Sequence, residues 1–196
     1  MLAHPSERYD GAMGDVTDLL RRARDSDPAA IDELVALLYP DLRRMARAKL
    51  ASNDTITLLD TTSMVHEVYL KLHHVARVDA SCRGQFMAYA ARAMRSVIVD
   101  FARKRRAEQR GGGIADATLA TEILDGSAAT DDDIERVDEA LRELEKTDPR
   151  LKQVVEMRFF GGLTEQEIAE ALGVNERTVR RDWDRARMLL SVALRP

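Results

Sequence analysis

Apolar residues recur along this chain with the period of an α-helix almost from end to end. Val179, Trp183, Ala186 and Leu190 stand at i, i+4, i+7 and i+11, one stripe of a helix. Before them, Ile168, Ala169 and Leu172 share a face of a shorter helix that Gly173 ends, glycine taking a left-handed cap without a Cβ penalty. Asn175 is placed to cap the second helix. Further back, Ile134, Val137, Leu141 and Leu144 form a stripe, and Asp148-Pro149 opens a helix with Leu151, Val154, Val155, Met157 and Phe159, closed by Gly161-Gly162.

The first half reads the same way. A helix is expected over Asp15–Asp25 on Val16, Leu19, Leu20 and Ala23. Another starts at Asp27-Pro28 on Ile31, Leu34, Val35 and Leu38; Pro40 should break or restart it before Leu42, Met45, Ala46 and Leu50. Thr61–Val75 buries Met64, Val65, Val68, Tyr69 and Leu72. A long helix from Phe86 to about Arg105 packs Phe86, Tyr89, Ala90, Met94, Val97, Ile98 and Phe101. No strand alternation and no repeat interrupts the series, so the fold class is all-α. Residues 1–14 read as a loose tail, 15–110 as one small helical domain, 111–130 as a flexible linker that starts at Gly111-Gly112-Gly113, and 131–196 as a second, four-helix domain ending in a helix-turn-helix.

Composition narrows the function. With 45% hydrophobic residues the chain can build ordinary cores, and the 5% of aromatics makes those cores aliphatic. The net charge of −4 does not advertise nucleic acid, yet its distribution does. Phe101–Arg110 holds five basic residues and one acid, whereas Ala129–Glu145 is strongly acidic. The single cysteine, Cys82, excludes an internal disulfide and a cysteine-rich metal site. The start of the chain has no signal-peptide core and no segment approaches membrane-spanning length, which points to a cytoplasmic protein without membrane contact. His4, His66, His73 and His74 are the best catalytic candidates, but neither a phosphate loop nor a nucleophile elbow accompanies them, and His66-Glu67 lacks the second histidine of H-E-x-x-H. No catalytic residue, metal or cofactor is assigned. Asp131–Asp133 is read as a helix start that complements the dipole rather than as a metal site.

The exposed side of that helix carries Glu176, Arg177, Arg180, Arg181 and Arg187. A helix-turn-helix lays such a face in the DNA major groove, where arginine grips guanine edges or phosphate. A plain helical hairpin with a solvated charged face fits the same spacing.

Three stretches together resemble one family. VVEMRFFGGLTEQEIAEALGVNERTVRRDWDRAR is similar to the promoter-reading domain of sigma-70-family factors of the extracytoplasmic-function (ECF) type. TTSMVHEVYLKL resembles their polymerase-binding helix, and FMAYAARAMRSVIVDFARKRR the helix beside it. The resemblance implies a non-enzymatic promoter-specificity subunit. Its first domain (sigma region 2) would dock on the clamp helices of core RNA polymerase through Thr62, Ser63, His66 and Glu67, and open the minus-ten element of promoter DNA. Asp79, Ser81, Arg83, Arg92, Arg95, Ser96 and Arg103 would meet that element. Its second domain (sigma region 4) would read the minus-thirty-five element through Glu176, Arg177, Thr178, Arg180 and Arg181 and touch the polymerase flap. A free-standing helix-turn-helix regulator is the alternative.

The chain departs from the family pattern where Tyr89 replaces tryptophan, where Ser96 replaces asparagine, and where Thr61-Thr62-Ser63 replaces an acidic pair. Neutral hydroxyls there suggest that a Ser/Thr kinase supplies the missing charge, with Thr62 first and Thr61 or Ser63 as alternatives; the competing expectation makes Thr61 or Thr62 only an N-cap. An anti-sigma protein is a further partner left open.

Overall fold

The computed structural model describes residues 7–25, 27–51, 60–74, 79–109 and 131–194. Among them the chain forms eight α-helices: α1 (Glu7–Arg24), α2 (Pro28–Ala51), α3 (Thr61–His74), α4 (Arg83–Gln109), α5 (Asp131–Thr147), α6 (Pro149–Val155), α7 (Glu165–Leu172) and α8 (Glu176–Ala193). The fold is all-α, as the periodicity requires. The expected linker over 111–130 lies outside the described residues.

Three boundaries differ from the expectation. The first helix is described from Glu7, inside the stretch expected as a tail. The fourth starts at Arg83, which takes Arg83, Gly84 and Gln85 out of the preceding loop. Pro40 neither breaks nor restarts α2, which runs through it. Proline there removes one donor and frees the carbonyl of Ala36. Ala36, Leu37, Tyr39 and Pro40 all lie on the exposed face, where that carbonyl is not sealed in the core. The buried stripe Leu34, Val35, Leu38, Leu42 and Met45 meanwhile continues unbroken across the proline and holds both sides on the core.

α2 packs between α1 and α3, touching both, and α4 closes that group. α4 also packs along α5, α7 and the turn after α6, so both halves of the chain share one continuous apolar core. Phe86, Met94 and Ile98 of α4 are fully buried in it, with Met45 of α2 and Phe160 from the second half.

The joint between the halves is a π turn, Glu156–Phe160, directly after α6. Its mark is the Gly161 N–H donating to the Glu156 carbonyl at 3.0 Å, one residue wider than an α-helical bond. The wider turn sets Phe159 and Phe160 edge to face, 4.7 Å between ring centres. Lys49 of α2 reaches over the Phe159 ring at 3.3 Å. Its side chain is taken almost wholly out of water, and that burial lowers the ammonium pKa to about 7.

This burial has a cost that depends on pH. Between about pH 7 and the ordinary lysine range near 10.5 the unfolded chain holds a proton that the folded one has released, so Lys49 makes stability rise with pH across that window. Below about 7 both states are protonated and its unfavourable contribution is constant. Lys49→Met should therefore raise stability at pH 7 by about 1–3 kcal/mol and shrink the gain seen between pH 7 and 9. Urea unfolding at the two pH values measures both; an unchanged gap would mean the ammonium stays charged in the core.

Candidate functional site

Asp60 organises the start of α3. Its Oδ1 accepts from the backbone N–H of Thr62 at 2.7 Å and of Ser63 at 3.0 Å, and its Oδ2 accepts from the Ser63 hydroxyl at 2.7 Å. That is the N-cap arrangement, so the cap is Asp60 and not Thr61 or Thr62. The Ser63 hydroxyl first, and then the two N–H groups, hold the Asp60 carboxyl below its usual range. Thr62 and Ser63 are exposed and Thr61 is half-buried. His66 and Glu67 face solvent on the next turn. Tyr69 and His73 both reach Asp32 of α2, at 3.0 and 2.6 Å, which fixes α3 on α2.

The residues expected at the minus-ten element separate into two sets. Asp79 and Ser81 are exposed; the Ser81 N–H and hydroxyl both donate to Gln85 Oε1, at 2.8 and 2.9 Å. Arg92 is exposed and Ser96 half-buried. Arg83 pairs with Asp41 at 2.7 Å. Arg95, expected on an exposed face, is only 7% exposed. Its Nε and one terminal nitrogen donate to Asp138 Oδ1 at 3.0 and 2.7 Å, and its other terminal nitrogen donates to Glu156. Arg103 and Arg142 pair with the second oxygen of Asp138 at 3.1 and 2.7 Å. Lys152 lies 2.7 Å from Glu145 and 3.7 Å from Glu156. Beside this cluster an open cleft of about 630 Å³ runs between the halves, lined by Arg24, Ser81, Tyr89 and Arg92 on one side and Lys152 and Glu156 on the other.

α7 and α8 meet at a short turn. Gly173 adopts φ +65°, the left-handed conformation that makes glycine the residue of choice there. Thr164 and Glu167 form a reciprocal capping box at the start of α7. Asn175 caps α8, accepting from the Thr178 N–H at 2.8 Å and from its hydroxyl at 3.0 Å. Val179, Trp183, Ala186 and Leu190 are buried, and Glu176, Arg177, Arg180 and Arg181 lie on the exposed face. Thr178 is half-buried and occupied by its cap. Glu165 ties this face down, 2.7 Å from Arg180 and 3.1 Å from Arg158, whose guanidinium stacks over Trp183 at 4.7 Å. Arg180 foremost keeps the Glu165 carboxyl below its ordinary range.

A family model for ECF sigma factors matches residues 13–196 of this chain. The chain belongs to the ECF sigma-factor family. It is 26% identical over 182 residues to the ECF RNA polymerase sigma factor SigK of Mycobacterium ulcerans (strain Agy99), covering 90% of this chain and 89% of that one. It is 28% identical over 176 residues to the SigK proteins of Mycobacterium bovis (strain BCG / Pasteur 1173P2) and Mycobacterium tuberculosis (strain ATCC 25618 / H37Rv), covering 85% of this chain and 86% of each. No solved structure matches it. An ECF sigma factor is a transcription regulator that works with core RNA polymerase and promoter DNA, and no enzyme family is indicated. Among the described residues of this sigma factor, no helix is long and apolar enough to cross a membrane, and no group of three or more His, Cys, Asp and Glu could hold a metal ion.

Sequence reasoning passed over Asp60, Glu165, Asp138 and Glu156. Only the first carried a local signal, an acid three residues before Ser63 at the head of an apolar period. The others act across turns or between halves. If Asp60 is the cap, Asp60→Ala should lower the thermal midpoint by about 2–4 °C, whereas Thr62→Ala should leave it in place; calorimetry on the two variants distinguishes them.

Proposed function

We propose that this ECF sigma factor is switched on by phosphorylation at the start of α3. What supports the reading is the chemistry of that turn. The family pattern has an acidic pair where this chain has Thr61, Thr62 and Ser63, and a basic polymerase surface would then meet hydroxyls instead of carboxylates. Of the three hydroxyl residues, Thr61 is half-buried and the Ser63 hydroxyl donates to Asp60 at 2.7 Å, whereas Thr62 is exposed and its hydroxyl has the weakest hold on the Asp60 carboxyl, so Thr62 is the one a kinase would reach with least rearrangement. A phosphate adds about −1.5 to −2 charges in the field of a helix N-terminus, which stabilises negative charge. The phosphate would stand two residues beyond Asp60, whose carboxylate already takes the Thr62 and Ser63 N–H groups and leaves the added charge to a partner's cations.

His66 and Glu67 continue the polymerase-facing side of α3, and both are exposed. On α8, Arg177 and Arg181 point to solvent with Glu176 and Arg180 beside them, a face of the kind that reads a major groove, here the minus-thirty-five element. Asp79, Ser81 and Arg92 would meet the minus-ten element, with Ser96, Arg83, Arg95 and Arg103 behind them. The Ser/Thr kinase is the added partner this reading requires; nothing in it requires an anti-sigma protein.

The observation that carries the reading is the exposed Thr62 hydroxyl on a capped helix start that lacks the family's acids. The test is equilibrium binding of core RNA polymerase to the unmodified protein, Thr62→Ala and Thr62→Asp. Thr62→Asp should bind about tenfold more tightly than the other two. Binding by the unmodified protein and Thr62→Ala as strong as that of Thr62→Asp sinks the switch and leaves the family assignment standing.

A further inference from the structure

Arg177, Arg180 and Arg181 share the exposed face of α8, but they are not equivalent. Arg177 and Arg181 donate no hydrogen bond among the described residues, and Arg181 lies only loosely beside Asp182, at 3.7 Å. Arg180 is held. Its Nε and one terminal nitrogen donate to the same Glu165 oxygen, Oε2, at 3.1 and 2.7 Å. The other oxygen, Oε1, accepts from Arg158 at 3.1 Å, and Arg158 stacks over the buried ring of Trp183. A chain of contacts therefore runs from the core outward through Trp183, Arg158 and Glu165 to Arg180.

Glu165 is itself fixed. It is the first residue of α7, beside the Thr164–Glu167 capping box, where the helix dipole favours a carboxylate. The Arg180 side chain is still 62% exposed, so Glu165 restrains its direction and not its access to a partner. An arginine that is already held loses less rotamer freedom on docking than a free one. Glu165 occupies the Nε edge of the guanidinium. The other terminal nitrogen has no partner among the described residues, which leaves the edge formed by the two terminal nitrogens open to two parallel acceptors.

DNA offers two kinds of acceptor. A phosphate would bring a second negative charge beside the Glu165 carboxylate, and that carboxylate already cancels one of the two positive charges of Arg158 and Arg180. The O6 and N7 atoms of guanine carry no formal charge and match an arginine fork. We propose that Glu165 is a positioning residue for promoter reading: it aims the open edge of Arg180 at a guanine of the minus-thirty-five element and leaves phosphate to Arg177 and Arg181. The inference rests on the reading of α8 as the helix that meets that element.

The experiment uses holoenzyme formed from core RNA polymerase and enough full-length sigma factor to saturate it: wild type, Arg180→Ala, Glu165→Gln, Glu165→Ala, and Glu165→Ala combined with Arg180→Ala. A promoter library randomised over the minus-thirty-five region gives the base preference at each position, and melting curves verify the fold of each variant. Wild type should prefer guanine at one position by about tenfold, and Arg180→Ala should abolish that preference. Glu165→Gln, which keeps a neutral acceptor, should reduce it to about threefold. Glu165→Ala should abolish it, with no further loss in the double variant. On a promoter whose guanine is replaced, both Glu165 variants should bind at least as tightly as wild type at low salt. Their plots of log affinity against log salt should be steeper by about 1 than wild type on the same DNA, because the released guanidinium then takes a phosphate. A side chain that only supported the fold would weaken both promoters alike.

An unchanged guanine preference in Glu165→Ala overturns the positioning role. So does an equal loss of affinity for both promoters, an unchanged salt slope, or a Glu165→Ala that fails to fold. If Arg180→Ala removes a preference for a base other than guanine, the guanine assignment is overturned. If wild type shows no preference, or Arg180→Ala leaves every preference in place, the reading of α8 beneath this inference fails, and the inference with it.

Discussion

A guanidinium withdrawn from water must be met by anions, and the way the two halves of this sigma factor sit together turns on that requirement at Arg95. Its nitrogens are divided between Asp138 and Glu156, and Asp138 also serves Arg103 and Arg142. Such a cluster adds little net stability over an apolar contact of the same volume, but it is costly to break on one side only. It therefore specifies which surfaces meet more than it deepens the well. The apolar core around Phe86, Met94 and Phe160 supplies the attraction, and the charges supply the register.

Two different chemistries thus share α4. Its apolar face lies in the core that both halves share, and its cationic face is divided between solvent at Arg92 and carboxylates at Arg95 and Arg103. The net charge of −4 is consistent with this economy, for acids placed against basic helices cancel the very field that would attract DNA. Lys49 presses the same theme at the other end of the joint, an ammonium placed over an aromatic ring and deprived of water.

What could be read in the sequence was whatever repeats locally. The stripe Val179, Trp183, Ala186 and Leu190, the Asn175 cap and the Gly173 turn all appear where the spacing put them, because each depends on neighbours within a turn or two of helix. The continuity of α2 through Pro40 was not legible, since it depends on which face the proline occupies relative to a core assembled from other helices. The burial of Arg95 was hidden for a stronger reason. Its partners stand 43 and 61 residues away, and nothing in the period of α4 distinguishes an arginine that meets water from one that meets Asp138. The cap of α3 lay between these cases: Asp60 is adjacent to the helix, but three hydroxyl residues beside it are equally good caps on propensity alone.

The π turn at Glu156–Phe160 bears on how the length of this chain can vary. One residue inserted or deleted there would rotate the downstream helices α7 and α8 by about 100° about the axis of α6. Phe160 would swing out of the core, and Gly161 would no longer stand opposite Ala91. Side chains in this stretch can be exchanged for others of like size, but its number of residues cannot drift. Among descendants of this sequence, gaps should therefore collect elsewhere, and the stretch from Leu151 to Thr164 should behave as a ruler.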